Sequence, residues 1–166
     1  MATITADVRY HKMRIPLDPE AQHGCAGESL WVIALGADRY RLDNEPFVAK
    51  GLHWSDVVVA VVTEDGWLTF QHVVERQAGA TFRVYFPEQV TDNTDPRWQR
   101  LKAVTDGEQI CREGVDGFSV LIRVLAALPG GVERVKAALR LLRLQGDLLT
   151  VSLIEDDPQT GLEVLG

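Results

Sequence analysis

Val57 to Val62 is an apolar run rich in β-branched side chains, and after Glu64-Asp65-Gly66 a second strand-forming run, Trp67 to Val74, follows it. Two such runs joined through Asp-Gly signal a β-hairpin, because a type I′ turn needs positive φ at both central residues. Any fold for this chain must therefore contain a sheet built around these two strands. The same signs recur on either side. Glu28 to Leu35 and Arg39 to Leu42 alternate about Gly36-Ala37-Asp38, which predicts a second hairpin with Tyr40 and Leu42 on one face. A turn at Ala78-Gly79 is expected to return the chain into Thr81 to Phe86, with Phe82, Val84 and Phe86 facing one side. A further strand is expected within Ala6 to Ile15, where Ala6, Val8 and Tyr10 alternate with Asp7, Arg9 and His11. The N-terminal half reads as an antiparallel meander, a small barrel-like sheet.

After Pro87 the pattern changes. Asp95-Pro96 is a helix start, since Asp accepts an exposed amide hydrogen and Pro is pre-set for the first turn. Trp98, Leu101 and Val104 or Thr105 then share a face up to Gly107. Glu108 to Arg112 and Gly117 to Val124 flank Gly114-Val115-Asp116-Gly117, a predicted hairpin. Val132 to Leu144 carries the stripe Val132, Val135, Leu139 and Leu142, and Leu148 to Ile154 closes as a strand. From Thr81 onward the order is strand, helix, strand, strand, helix, strand, which is that of a ferredoxin-like split βαβ unit. The expected fold is α+β: an antiparallel β subdomain over residues 1–80 and a ferredoxin-like subdomain over 81–166, packed as one unit.

Hydrophobic residues make up 46% of the chain and charged ones 25%, which suits a globular protein. No apolar run approaches the roughly 20 residues of a membrane span, and the N-terminus MATITADVRYHK lacks the pattern of a secretory signal. Cys25 and Cys111 are too few for a disulfide framework and read as reduced thiols, so the expected location is cytoplasmic. A net charge of −7 opposes nonspecific nucleic-acid binding and favours a basic protein partner. The charge is uneven: Arg97 to Gly146 has nine Lys or Arg against five Asp or Glu, a balance of +4, which leaves −11 elsewhere.

Candidate chemistry is sparse. His23-Gly24-Cys25 has no second pair of zinc ligands at matching spacing, and His11, His53 and His72 would have to be brought in by folding. Cys111 stands in no nucleophile signature and reads as a small buried residue. Glu75-Arg76 and Arg83, with His72 nearby, are placed on paired strands about Ala78-Gly79, where they would form a surface ion network or bind a small anion. Asp43, Glu45 and Asp56 resemble paired catalytic carboxylates only if the fold converges them. Pro129-Gly130-Gly131 lacks the rest of a phosphate loop. Phe118, within Gly117-Phe118-Ser119-Val120, reads as core packing rather than an RNA-stacking aromatic, and Lys136, Arg140 and Arg143 form a solvated basic stripe. Glu155-Asp156-Asp157 is a solvated turn or a site for a basic partner.

The stretch ESLWVIALGADRYRLDNEPFVAKGLHWSDVV, Glu28 to Val58, carries Leu-Trp, Leu-Gly, Tyr-Arg-Leu-Asp-Asn, Pro-Phe, then Ala, Gly and Asp-Val-Val. In these residues the chain resembles bacterial proteins grouped as domain of unknown function 4265. The resemblance implies a bacterial origin and no particular chemistry. Its signature residues Trp31, Tyr40, Asp43, Asn44, Pro46, Phe47, Gly51 and Asp56 have a structural reading: Asn44 as a turn former before Pro46, Phe47 as a plug for the end of a small sheet, Gly51 as a site of positive φ. The function expected first is a noncatalytic protein-interaction protein of the immunity type, acting on a basic protein partner. The alternative is a small-ligand-binding or regulatory module. No catalytic residue, metal or cofactor is assigned, neither nucleic acid nor membrane is expected as a partner, and the oligomeric state is left open.

Overall fold

The computed structural model describes residues 8–20, 24–154 and 162–164. The chain divides into two compact units, residues 1–76 and 77–166, and has two sheets and two helices among the described residues, an α+β composition.

The first unit is all β: β1 (Tyr10–Pro16), β2 (Gly27–Gly36), β3 (Arg39–Leu42), β4 (Val57–Val62) and β5 (Leu68–Glu75). Each strand pairs antiparallel with the next, and β5 then meets β1 in parallel, with Met13 opposite Leu68 and Arg14 opposite Thr69. The result is a closed barrel. In an up-and-down path of five strands the first and last run the same way, so closure has to be parallel. Closure also leaves no strand edge to pair with another chain. Met13, Ile15, Leu30, Val32, Leu42, Val58, Ala60 and Leu68 fill the interior, joined by Ala49 and Leu52 from the long β3–β4 loop.

Three local expectations change. In β1 the inward residues are Met13 and Ile15, while Val8 and Tyr10 are exposed, because Met13 stands opposite the buried Leu30 and cross-strand partners share a face. At the β4–β5 hairpin only Gly66 has positive φ, at 80°. Its N–H donates to the Thr63 carbonyl at 2.8 Å, so Glu64 and Asp65 form a type I turn followed by a left-handed glycine rather than a type I′ turn. Consecutive positive φ values occur instead in the β2–β3 hairpin, at Ala37 (51°) and Asp38 (58°). Finally, the strand after Ala78-Gly79 does not return to β5, because β4 and β1 already occupy both of its edges.

That strand, β6 (Gly79–Tyr85), opens the second unit, followed by α1 (Pro96–Val104), β7 (Ile110–Val115), β8 (Ser119–Leu125), α2 (Gly131–Leu144), β9 (Thr150–Ile154) and β10 (Leu162–Val164). The sheet order is β10-β9-β6-β8-β7, antiparallel throughout. Phe82 and Val84 from β6, Val120, Ile122 and Val124 from β8, and Val151 from β9 form one apolar face. Leu101 of α1 and Val135, Leu139 and Leu142 of α2 pack into the same core, so both helices lie on that face. Asp95 caps α1 by accepting the Arg97 N–H at 2.8 Å, with Pro96 as its first residue. Every side chain of β8 is buried, including Arg123, whose guanidinium donates to the Thr81 hydroxyl at 3.1 Å and the Gln77 carbonyl at 2.8 Å. Phe118 lies in the turn before β8 and is 43% exposed, so it is not a core residue: the apolar face begins two residues later at Val120.

Candidate functional site

Residues 43–56 join β3 to β4 without regular secondary structure, and their amides need acceptors other than a strand partner. Side chains supply them. The Glu28 carboxylate, projecting from β2, accepts the amides of Phe47 at 2.6 Å, Val48 at 3.0 Å and Ala49 at 2.8 Å. The Asn44 side-chain oxygen accepts the Trp31 amide at 2.8 Å, which ties the loop back to β2. Glu45 accepts the Trp54 amide at 2.7 Å with one oxygen and meets His53 Nδ1 at 2.8 Å with the other. Asp56 accepts the His53 amide at 3.0 Å. Glu45, Asp56 and His53 are only 2%, 1% and 8% exposed, so this is an enclosed polar cluster in which hydrogen bonding offsets the cost of burying charge. Ser55 completes the turn with φ at 73°.

Beside this loop, at the barrel end where β1 and β5 finish, lies an open groove of about 650 Å³. Such a volume falls within the range of small-molecule sites, roughly 300–1,000 Å³. Leu17 continues from β1, Phe70, Val73 and Val74 come from β5, and Ala49 to Leu52 come from the loop. Gly51 adopts φ of 72° there, and its carbonyl accepts a hydrogen bond from Arg76 Nη1 at 2.6 Å. Lys50, an exposed residue, and Arg76 put two cations beside these apolar side chains.

The residues singled out from sequence separate accordingly. Asn44 and Asp56 hold the loop, Pro46 is buried within it, and Gly51 turns the chain at the groove. Phe47 is half-buried and gives its amide to Glu28; the loop side chains that enter the barrel core are Ala49 and Leu52. Tyr40 packs against the core and meets the His11 ring edge-on at 5.8 Å. Asp43 is partly enclosed, and burial raises its carboxyl pKa against the lowering effect of Arg41. Trp31 points outward, 51% exposed, with the Lys12 ammonium 6.0 Å from its ring. His72 and Arg76 belong to the barrel unit, whereas Arg83 lies on β6 in the other sheet. The strands that carry them are not paired as expected, because β5 and β6 lie in different sheets. Glu155, Asp156 and Asp157 lie outside the described residues. Of the three carboxylates weighed as a catalytic set, Glu45 and Asp56 converge on His53, whereas Asp43 only gives its amide to the Trp31 carbonyl at 2.9 Å. The sequence reading missed Glu28 and Lys50; for Lys50 a signal existed, its place between Ala49 and Gly51 of the signature. Among the described residues no group of three or more His, Cys, Asp or Glu is placed to hold a metal, and no helix is long and apolar enough to cross a membrane.

No curated protein matches the chain. A solved structure of a hypothetical protein from Neisseria gonorrhoeae is similar, with a TM-score of 0.55 at 15% identity over 89% of this chain and 94% of that one. At that identity the likeness concerns the fold alone. The sequence profile described as domain of unknown function DUF4265 matches residues 28–112, just over half of the chain, from the start of β2 to the start of β7. Its span includes the whole braced loop, Lys50 and Gly51. By that match the chain belongs to the DUF4265 family.

Proposed function

We propose that this protein is a noncatalytic binding module that holds a small ligand in the groove at the end of its barrel. The groove itself carries the reading: a concave surface that combines apolar side chains with a few polar groups is the usual form of a small-molecule site. The polar residues that brace the loop support it indirectly. Glu28, Asn44, Glu45 and Asp56 accept backbone amides and so shape the loop that forms one wall. The second unit fits a regulatory role by analogy only: its order of strands and helices, with β6 and β8 central, is the arrangement we read as ferredoxin-like.

A second reading, an immunity-like protein that docks on a basic partner, draws on the charge balance of −11 outside Arg97 to Gly146. The two readings separate in one experiment. A chemically diverse set of small molecules is titrated into the isotopically labelled protein, and amide shifts are mapped. Saturable shifts centred on Leu17, Gly51 and Val73 are expected. If every responsive amide lies elsewhere, the groove is not the binding site. If only a basic protein produces shifts, with an association rate that falls as salt rises, the second reading replaces the first.

A further inference from the structure

We propose that the groove recognises an amphipathic monocarboxylate, its head held between Lys50 and Arg76 and its apolar tail laid over Leu17, Phe70 and Val73. The inference rests on the reading of the groove as a ligand site and adds the chemistry of what fills it. Charge complementarity carries it. The barrel unit contains eleven Asp or Glu and seven Lys or Arg, so its cations sit among an excess of acids. Two other arginines of the unit are neutralised in the ordinary way: Arg14 meets Asp65 at 2.9 Å and Arg39 meets Glu75 at 2.6 Å. Lys50 and Arg76, like Arg9, Lys12 and Arg41, are in no such ion pair among the described residues; what sets Lys50 and Arg76 apart is that both stand on the rim of the same groove.

Their placement suits a carboxylate. Arg76 Nη1 is committed to the carbonyl of Gly51, the residue that follows Lys50 in the chain, which leaves Nε and Nη2 as donors. Gly51 makes this possible: with φ at 72° it turns its carbonyl toward Arg76, a backbone conformation that other side chains rarely adopt. Leu17, Phe70, Val73 and Val74 line the same groove, so an anion with no tail would leave these apolar side chains wet. A neutral apolar molecule would leave the two cations unanswered.

Octanoate, octan-1-ol and inorganic phosphate are the three probes that decide the matter, titrated separately into the full chain with methyl and amide shifts as the readout. Octanoate is expected to bind saturably, shifting the methyl groups of Leu17, Leu52 and Val73, and to bind more tightly than either of the others. Lys50→Glu is expected to weaken octanoate by about tenfold or more through loss of a charge-assisted contact, leaving octan-1-ol unchanged. Lys50 is exposed, so the substitution leaves the core intact, and Lys50→Arg is expected to retain octanoate binding. Octan-1-ol binding as tightly as octanoate would overturn the carboxylate while leaving the groove a ligand site. Phosphate matching octanoate would overturn the tail. Absence of shifts at the groove with octanoate and octan-1-ol alike would overturn this proposal, and if no other small molecule shifts those positions either, the ligand-site reading falls with it.

Discussion

The barrel unit and the unit that follows it satisfy their backbones with different materials. In residues 77–166 nearly every core position belongs to a strand or helix that supplies its own hydrogen bonds, so the interior is an apolar layer: Phe82, Val84, Val120, Ile122 and Val124 against Leu101, Val135 and Leu139. In the barrel, residues 43–56 carry their chain past the core without such a ladder, and carboxylates stand in for it. Polar residues gathered in one loop take their meaning from this difference. Where a long loop is held against a core, Asp, Glu and Asn serve construction by accepting its amides, and the Glu45–His53–Asp56 cluster, which resembles acid–base machinery, is part of that hydrogen-bond supply.

The largest effect is expected at Leu139, which is fully buried in the core of the second unit. Leu139→Ala should destabilise the protein by about 2–5 kcal/mol, through lost burial and the cavity left behind. Denaturant unfolding measures the loss, and amide exchange in β6 and β8 should quicken. A change below about 1 kcal/mol would mean that the apolar layer is not what holds this unit. A smaller effect is expected from Glu28→Ala, which removes the acceptor of three consecutive amides. Leaving buried donors unsatisfied costs about 1–3 kcal/mol each, but Glu28 is only partly enclosed and water can replace some of what is lost, so a total of about 1–3 kcal/mol is expected. The amides of Phe47, Val48 and Ala49 should exchange faster than those of β2. If their protection is unchanged, the loop is held by something other than Glu28, and the contrast between the two units fails.

The same difference decides what could be read in advance. The stripe Val135, Leu139 and Leu142, the Asp95-Pro96 start and the strand order from Thr81 onward are written in periods and caps, and each corresponds to an observed element. Hairpin positions were legible for the same reason, although the turn geometry at Gly66 was not, because type I and type I′ turns both accept Asp-Gly and only the flanking register separates them. Partnership was harder to read. Ala78-Gly79 looks like a hairpin turn, yet closure of the barrel consumes both edges of β5, and that depends on the parallel contact of Met13 with Leu68 across most of the unit. The candidate site was hardest of all. Glu28 lies about twenty residues before the amides it accepts, and no local pattern announces such a contact.

The smallest expected effect concerns the cap of α1, where the second unit does borrow a side chain to finish its backbone. Asp95 has its carboxyl pKa lowered from 3.8 to about 2, chiefly by its side-chain hydrogen bond with Arg97 and further by accepting the Arg97 amide. The folded state therefore holds the ionised form more strongly than the unfolded chain does. The stability that this provides is fully present above pH 3.8 and is lost as pH falls from there toward about 2. Asp65 and Asp92 are lowered in the same direction by their own hydrogen bonds, led by Thr63 and Thr94 respectively, so the wild-type acid limb is a composite. Asp95→Asn isolates one component: asparagine still caps a helix, but it neither titrates nor forms the two-pronged contact with Arg97. The variant should be slightly less stable than wild type at neutral pH, and the gap should close as the pH is lowered through this window. Parallel curves for the two proteins would show that Asp95 acts as a neutral cap.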